Sequence, residues 1–451
     1  MYKRKIEDQM EEWLQNNSIQ KKALLLKGAR HVGKTTLALS FARKHYESVV
    51  YLDLRKDKRI RNAFSNDFNI DFIMMQISAA ISNIKLIPGK TVIIMDEIQD
   101  CPNARSSLKY FCLDGRYDVI CTGSLLSIKG YASNAGRGVP VGFEYHLLMK
   151  PMDFEEFLWA MGTDETVLGH LKESFDNRTP VLPVIHQRMH ELFRQYMVVG
   201  GMPEAVKSFV TKNNLSFVLG TQKNIIESYK DDFGRHLQND GTEYVNQSEL
   251  ARILACFVSI PVQLAKDNKK FMFSKVNYRP GSRSVDYHGA IQWLCDAGIC
   301  TQCFNLEEPS LPLDGNKKPD NFKLYMQDSG LFISMLEEGT ASSIISGDLG
   351  AYKGAIYENI LADTFSKMGR SLYFYRKESG MEIDFVTRYN GHATPVEVKA
   401  TSGKAKALNT LMKRKDDYDI QHAIKLSALN IAEQDDILYM PYYLGYMLTQ
   451  Y

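Results

Sequence analysis

The chain has no surplus of charge, no long apolar run and few cysteines. Its 55 Lys and Arg against 53 Asp and Glu leave a net charge of +2 over 451 residues. A charge that small does not announce a nucleic-acid binder, although a local basic patch is compatible with it. No apolar run approaches the length of a membrane span, so no membrane partner is expected. Met1 to Gln9 is charged and lacks the apolar core of a signal peptide. Seven scattered cysteines, an odd number, point to a reducing compartment and hence a cytoplasmic location. Cys300 and Cys303 form a lone Cys-x-x-Cys with no second pair at zinc spacing, so packing is expected of them before a metal or redox role. Internal repeats and low-complexity tracts are absent as well. What is left is ordinary globular composition, 44% hydrophobic and 24% charged, long enough for two to four domains.

Against that background one stretch stands out. Gly28-Ala29-Arg30-His31-Val32-Gly33-Lys34-Thr35 is a glycine, four free positions, then Gly-Lys-Thr. Ala23 to Leu26 before it reads as a buried strand, and Thr36 to Arg43 after it as a helix. Backbone N–H groups of such a loop close around phosphate oxygens, and the helix N-terminus adds its positive dipole end. Residues 28 to 36, ending in Thr36, would line an ATP phosphate chain. Lys34 would bridge the outer phosphates, and Thr35 would offer its hydroxyl to Mg²⁺.

Further strands are expected at Val49 to Leu54, Thr91 to Met95, Tyr117 to Cys121 and Phe143 to Met149, with helices between them. Thr91 to Met95 ends in Asp96-Glu97, where a nucleotide site sits in an open α/β sheet. Asp96 would hold Mg²⁺ through its waters, and Glu97 would polarise the attacking water. Thr122-Gly123-Ser124 follows the fourth strand, and Thr122 would contact the γ-phosphate or the water, unless this is a plain strand exit. Arg137, in Gly136-Arg137-Gly138, would reach transition-state charge on its own or a neighbouring subunit's nucleotide, or be a solvated loop arginine. An oligomer therefore stays open.

Residues 1 to 160 thus read as a parallel sheet with crossover helices, and 161 to 242 as mainly helical. Ser248 is expected to cap a helix to Ser259, with a second helix starting near Pro261 and a third over Ser284 to Ala297. With a strand at Ile299 to Phe304, residues 243 to 307 suggest a winged helix-turn-helix. Lys269, Lys270, Lys275, Arg279 and Arg283 would then be a phosphate-contacting surface for DNA, or solvated lysines on an internal packing module. Residues 308 to 350 read as a linker and connecting segment.

Residues 351 to 451 carry a second constellation. A helix over Gly354 to Met368 bears Glu358 at the border of its apolar face. Two strands, Met381 to Arg388 and Thr394 to Ala400, flank Asn390-Gly391, a strong hairpin signal. Counting outward from that turn sets Tyr389 opposite His392 and Asp384 opposite Glu397, with Glu382 and Lys399 on the same face. Opposed carboxylates repel, and a divalent cation between Asp384 and Glu397 would reverse that sign. Lys399 would then orient a water or stabilise developing phosphate charge. The alternative is an exposed, charge-laced hairpin.

Taken together, the phosphate loop, Met95-Asp96-Glu97-Ile98-Gln99, Thr122-Gly123-Ser124, Pro151-Met152-Asp153-Phe154-Glu155-Glu156-Phe157 and Gly200-Gly201-Met202-Pro203-Glu204 resemble a prokaryotic family. These are AAA-type ATPases of the ASCE branch with a DUF4143-type C-terminal region. The family's loop often has Gln where this chain has His31. The C-terminal part is similar to the PD-(D/E)xK, restriction-endonuclease-like fold, with Glu358, Asp384, Glu397 and Lys399 as the matching positions and Ile383-Asp384 in place of Pro-Asp. The resemblance implies an α/β P-loop sheet, a helical and winged-helix middle and a C-terminal α/β nuclease-like domain. It also implies ATP and Mg²⁺ as cofactors and Mg²⁺-dependent nucleic-acid cleavage. The rival reading is a nucleotide-dependent switch whose nuclease-like fold does not cut.

Overall fold

The computed structural model describes residues 1–65, 67–125, 140–236, 247–266, 269–276, 285–399 and 405–448. Arg137, Arg279 and Arg283 lie outside them. The chain forms two compact units, the first made of Met1–Lys150, Tyr229–Leu250 and Asp296–Gly298.

The first unit is built on a parallel sheet in the order β2-β3-β4-β1-β5. Its strands are β1 Ala23–Gly28, β2 Ser48–Asp53, β3 Thr91–Asp96, β4 Asp118–Ser124 and β5 Glu144–Met149. β3 is buried along its whole length, which is why it reads as an unbroken apolar run. The helices Lys34–His45 and Pro102–Asp114 pack on the sheet through Leu37, Phe41, Leu108 and Phe111. A side chain on Gly28 would collide with the Met149 carbonyl oxygen, so β1 and β5 approach closely only because position 28 is glycine.

The second unit comprises Pro151–Ser228, Ala251–Cys295 and Ile299–Tyr451. Its helical part opens on Phe154–Ala160, whose first turn is closed by a reciprocal capping box between Asp153 and Glu156. Helices Pro183–Val199 and Pro203–Lys212 meet at Gly200-Gly201, the expected helix break. There the Gly201 carbonyl accepts from Met152 N at 2.7 Å, and Asp328 accepts from Gly201 N at 2.7 Å.

Its sheet has eight strands in the order β12-β13-β11-β10-β9-β8-β6-β7. They are β6 Cys300–Leu306, β7 Lys317–Met326, β8 Leu372–Arg376, β9 Glu382–Tyr389, β10 His392–Val398, β11 Ala423–Ser427, β12 Ala432–Gln434 and β13 Ile437–Pro441. The helix Lys353–Lys367 is buried from Ala355 to Ser366 and lies against β6, β7 and β8.

Three expectations change here. The strand expected to complete a winged helix is β6, which pairs antiparallel with β7 and also in parallel with β8, as part of the large sheet. The expected linker contains β7, the sheet's edge, and the helices Ser329–Ser334 and Thr340–Ser346. Pro261 lies inside a single helix, Gln247–Leu264, which begins one residue before Ser248. The helix continues past the missing Pro261 N–H because the following turn still closes, Ala265 N donating to Pro261 O at 3.1 Å. All seven cysteines are free thiols, and burial pushes Cys112 up to about 11 and Cys256 up to about 12. No helix among the described residues is long and apolar enough to cross a membrane.

Candidate functional site

The phosphate loop leaves β1 at Gly28 and enters the helix at Lys34. Ala29 and Val32 are buried and anchor the loop, while His31 and Thr36 are exposed and Arg30, Gly33 and Thr35 partly so. Lys34 folds back on the loop, its Nζ donating to Gly28 O at 3.1 Å and Ala29 O at 2.8 Å. Burial lowers Lys34 to about 8 against the opposing pull of Glu97, so its charge is held by weak local acceptors. Arg30 forms an ion pair with Asp232, and the Tyr229 hydroxyl donates to Arg30 O at 3.0 Å, so residues 229 to 236 brace the loop.

Asp96, at the carboxyl end of β3, gathers three hydroxyls. Thr35 Oγ1 donates to Oδ1 at 2.7 Å, Tyr51 OH to Oδ2 at 2.7 Å, and Thr122 Oγ1 to Oδ1. Thr122 also accepts from Glu97 N at 3.2 Å. Glu97 sits at φ 54°, an uncommon backbone for a side-chain-bearing residue, and its Oε2 accepts from Gln99 Nε2. Oxygens from Thr35 and Asp96 are hard donors, the kind that Mg²⁺ takes, so the residues present fit that cation. The structure thus brings Lys34, Thr35, Asp96, Glu97 and Thr122 together. Tyr51 and Gln99 were not expected there. Gln99 lies two residues past Glu97, but only the short 3₁₀ turn Ile98–Asp100 folds it back.

The second constellation forms in the second unit. The Asn390-Gly391 turn aligns His392 with Tyr389 and runs the ladder to Val396 opposite Phe385. The ladder to β8 slips between Tyr373 and Tyr375, so simple alternation fails here: Ile383 packs with Val386 and Tyr375, while Phe385 meets the Phe365 and Tyr325 rings. Yet each carboxylate already has protein partners. Glu358 accepts from Lys269 on Oε1, and from Lys323 at 3.2 Å and the Tyr325 hydroxyl at 3.0 Å on Oε2. Lys323 also meets Glu382 at 2.6 Å, and Arg376 reaches the other Glu382 oxygen at 3.4 Å. Asp384 accepts from Val398 N at 2.8 Å. Glu397 pairs with Lys399 at 2.7 Å and accepts from Leu408 N at 3.0 Å.

Charge and burial compete in this centre. Burial alone would raise the Glu358 carboxyl, but Lys323 and Lys269, with the Lys269 and Tyr325 hydrogen bonds, outweigh it and hold Glu358 at about 2. Burial, then the neighbouring Glu358 charge, pushes Asp384 up to about 7. Among the described residues no three His, Cys, Asp or Glu side chains are grouped to hold a metal. Two ammonium groups counter Glu358 and Lys399 counters Glu397, so these carboxylates stand in buried ion pairs.

Lys323 and Tyr325 escaped the sequence reading, and Lys269, expected on a phosphate-contacting surface, turns onto Glu358 instead. A lysine within Phe322-Lys323-Leu324-Tyr325-Met326, an otherwise apolar run, was the available signal. Lys323 is 1% exposed, and a fully buried lysine requires a charged partner.

Comparison with known proteins bears on both units. Residues 20–158 match a family model described as an AAA domain. Residues 190–342 match the domain of unknown function DUF8612, and residues 353–443 match DUF4143. No curated protein matches the chain. Among solved structures, a Walker-type ATPase of Pyrococcus abyssi is similar at 14% identity and TM-score 0.43, over 74% of this chain and 96% of that one. The Aeropyrum pernix ORC2 protein, in ADPNP–ADP complexes, is similar at 13% identity and TM-score 0.38, over 82% and 96%.

Proposed function

We propose that this chain, which carries an AAA-type P-loop ATPase domain and a DUF4143 region, binds and hydrolyses ATP at its N-terminal site. The observation that carries this reading is the meeting of Thr35 with Asp96 beside the phosphate-loop lysine. Lys34 leaves the Gly28 and Ala29 carbonyls for the outer phosphates, which are far stronger acceptors. Thr35 and Asp96 would hold Mg²⁺, which when bound supplies charge neutralisation on the β- and γ-phosphate oxygens. Glu97 orients and polarises the attacking water, with Gln99 fixing its carboxylate until substrate arrives. The test is phosphate release by the full chain with ATP and Mg²⁺, compared with Lys34→Ala. Equal turnover in both overturns the reading. Arg137→Ala in the same assay, with light scattering with and without ATP, reports whether a trans-acting arginine and an oligomer contribute.

For the C-terminal half, the lysine-held carboxylates favour nucleic-acid engagement without cleavage over metal-dependent cutting, with ATP state gating that engagement. Incubation of DNA and RNA with the protein, ATP and Mg²⁺ or Mn²⁺ decides between the two. Nicking that Asp384→Ala abolishes establishes cleavage and overturns the non-cutting assignment.

A further inference from the structure

The large sheet carries a basic cavity beside the carboxylate centre, with which it shares Lys323 and Arg376. It opens where β6 and β7 lose register. Phe304 pairs with Phe322, but the next residue, Asn305, pairs with Lys318, so residues 319 to 321 leave the ladder. Bulges of this kind at a sheet edge splay the strands and re-aim side chains. Here the bulge leaves a cavity of about 250 Å³ over β8, β6 and β7. Its walls carry Lys270, Lys318, Arg376 and Lys377, with Asn321 between them, and Glu378 is the single carboxylate of the lining. Phe374 and Lys323 form the floor, the Lys323 ammonium standing 4.8 Å from the Phe374 ring centre.

The cavity is built rather than accidental. Arg376 N donates to the buried Asn305 Oδ1 at 2.9 Å, which fixes the strand that presents the guanidinium. Lys318 is exposed and marks the mouth. Lys318 makes no ion pair among the described residues, and the Lys377 ammonium stands 6.0 Å from the Tyr375 ring centre and 5.7 Å from that of Tyr418. Glu358 and Glu382 already counter Lys323 and Arg376, so the charge open to an anion is chiefly that of Lys318 at the mouth. An arginine fork flanked by lysine point charges matches phosphate oxygens. The volume falls below the roughly 300–1,000 Å³ of drug-sized sites, which suits a phosphate and its sugar better than a bulky cofactor. Two lining residues, Lys323 and Arg376, also hold Glu382 of the carboxylate centre, so a phosphate here lies beside that centre.

We propose that this cavity is a backbone-phosphate subsite for nucleic acid, gripping one phosphodiester of a strand that runs along the sheet edge. The inference rests on the reading that the C-terminal half engages nucleic acid, and adds where it does so. The test measures binding of a fluorescent oligonucleotide, single-stranded and duplex, to the full chain across a salt series, with wild type, Lys318→Glu and the double variant Lys318→Ala/Lys377→Ala. Removal of two phosphate contacts is expected to weaken binding about tenfold or more and to make the log–log salt slope shallower by about two. ATP turnover and melting temperature are expected to stay at wild-type values. Wild type that binds no oligonucleotide overturns both the nucleic-acid reading and this subsite. Binding that is unchanged in both variants overturns the subsite alone. Inorganic phosphate and AMP serve as competitors. Lysine-dependent binding of either, without oligonucleotide binding, assigns the cavity to a free phosphate ester and overturns the nucleic-acid source.

Discussion

Thr35 and Asp96, 61 residues apart in the chain, are joined by a 2.7 Å hydrogen bond at the carboxyl edge of the first sheet. The bond sets the loop hydroxyl against the acidic strand end, the arrangement that the proposed nucleotide site requires. Thr35→Ala and Lys34→Ala are each expected to lower the rate of phosphate release by about 100-fold or more, the usual effect of removing one preorganised charge-stabilising group. Release rates against ATP concentration check it, and a thermal melt confirms that both variants fold.

A buried ammonium between two carboxylates is costly to half-remove. Lys323→Met leaves Glu358 and Glu382 facing each other with Lys269 and Arg376 alone, and is expected to destabilise the second unit by about 3–5 kcal/mol. Lys323→Met combined with Glu358→Gln is expected to recover part of that loss, because the unpaired charge goes with it. Urea denaturation of wild type, both single variants and the double variant gives the coupling directly. Losses that simply add would show that the two side chains do not act as a pair.

Asp384 titrates in the opposite sense to Glu358. A carboxyl raised in the fold from 3.8 to about 7 contributes stability fully below the lower value and loses it as pH rises through the higher one. Glu358, lowered from 4.5 to about 2, contributes above 4.5 and loses that contribution as pH falls towards 2. Asp384→Asn is therefore expected to raise the melting temperature at about pH 8 and to change it little at about pH 5. Calorimetry at the two pH values checks it. An equal shift at both would mean that ionisation of Asp384 is not the cause.

Gly201 tolerates no side chain. A Cβ there would stand 2.7 Å from Met152 N and closer still to its carbonyl oxygen, across a backbone hydrogen bond that closes at 2.7 Å. Gly201→Ala is expected to cost about 3 kcal/mol or more through forced backbone separation and the Asp328 contact it disturbs. A shift in the denaturation midpoint without loss of ATP binding is the expected signature.

Legibility in the sequence followed locality. The phosphate loop, Asp96-Glu97 and the Asn390-Gly391 hairpin are set by neighbours a few residues away, and the structure keeps the Tyr389–His392 frame that counting predicts. The capping box at Asp153 and Glu156 is equally local, although the residues were singled out only as part of a family stretch. What stayed hidden depends on pairing over long separations. β6 reads as a wing until β8 is known to lie beside it, and the run holding Lys323 reads as linker until the β6–β7 pairing forms. The meaning of Glu358 changed for the same reason. Its helix follows from periodicity, which leaves Glu358 at the border of the apolar face, but its burial and its partners depend on residues 269, 323 and 325.

The Gly200-Gly201 break has a consequence for the making of this protein. Met152 binds Gly201, Gly201 binds Asp328, and Lys367 Nζ reaches back over 215 residues to Met152 O at 3.0 Å. A ribosome delivers these residues in order, so the first of them emerges long before the last. Until the helices Ser329–Ser334 and Thr340–Ser346 and the turn Tyr442–Met447 follow, the helix Pro183–Val199 carries an uncovered apolar face. The first sheet has all five of its strands by residue 149 and is under no such delay. Synthesis is therefore expected to pass through a stage with the first sheet formed and the second unit waiting, and that waiting stretch is where chaperone demand and aggregation risk concentrate.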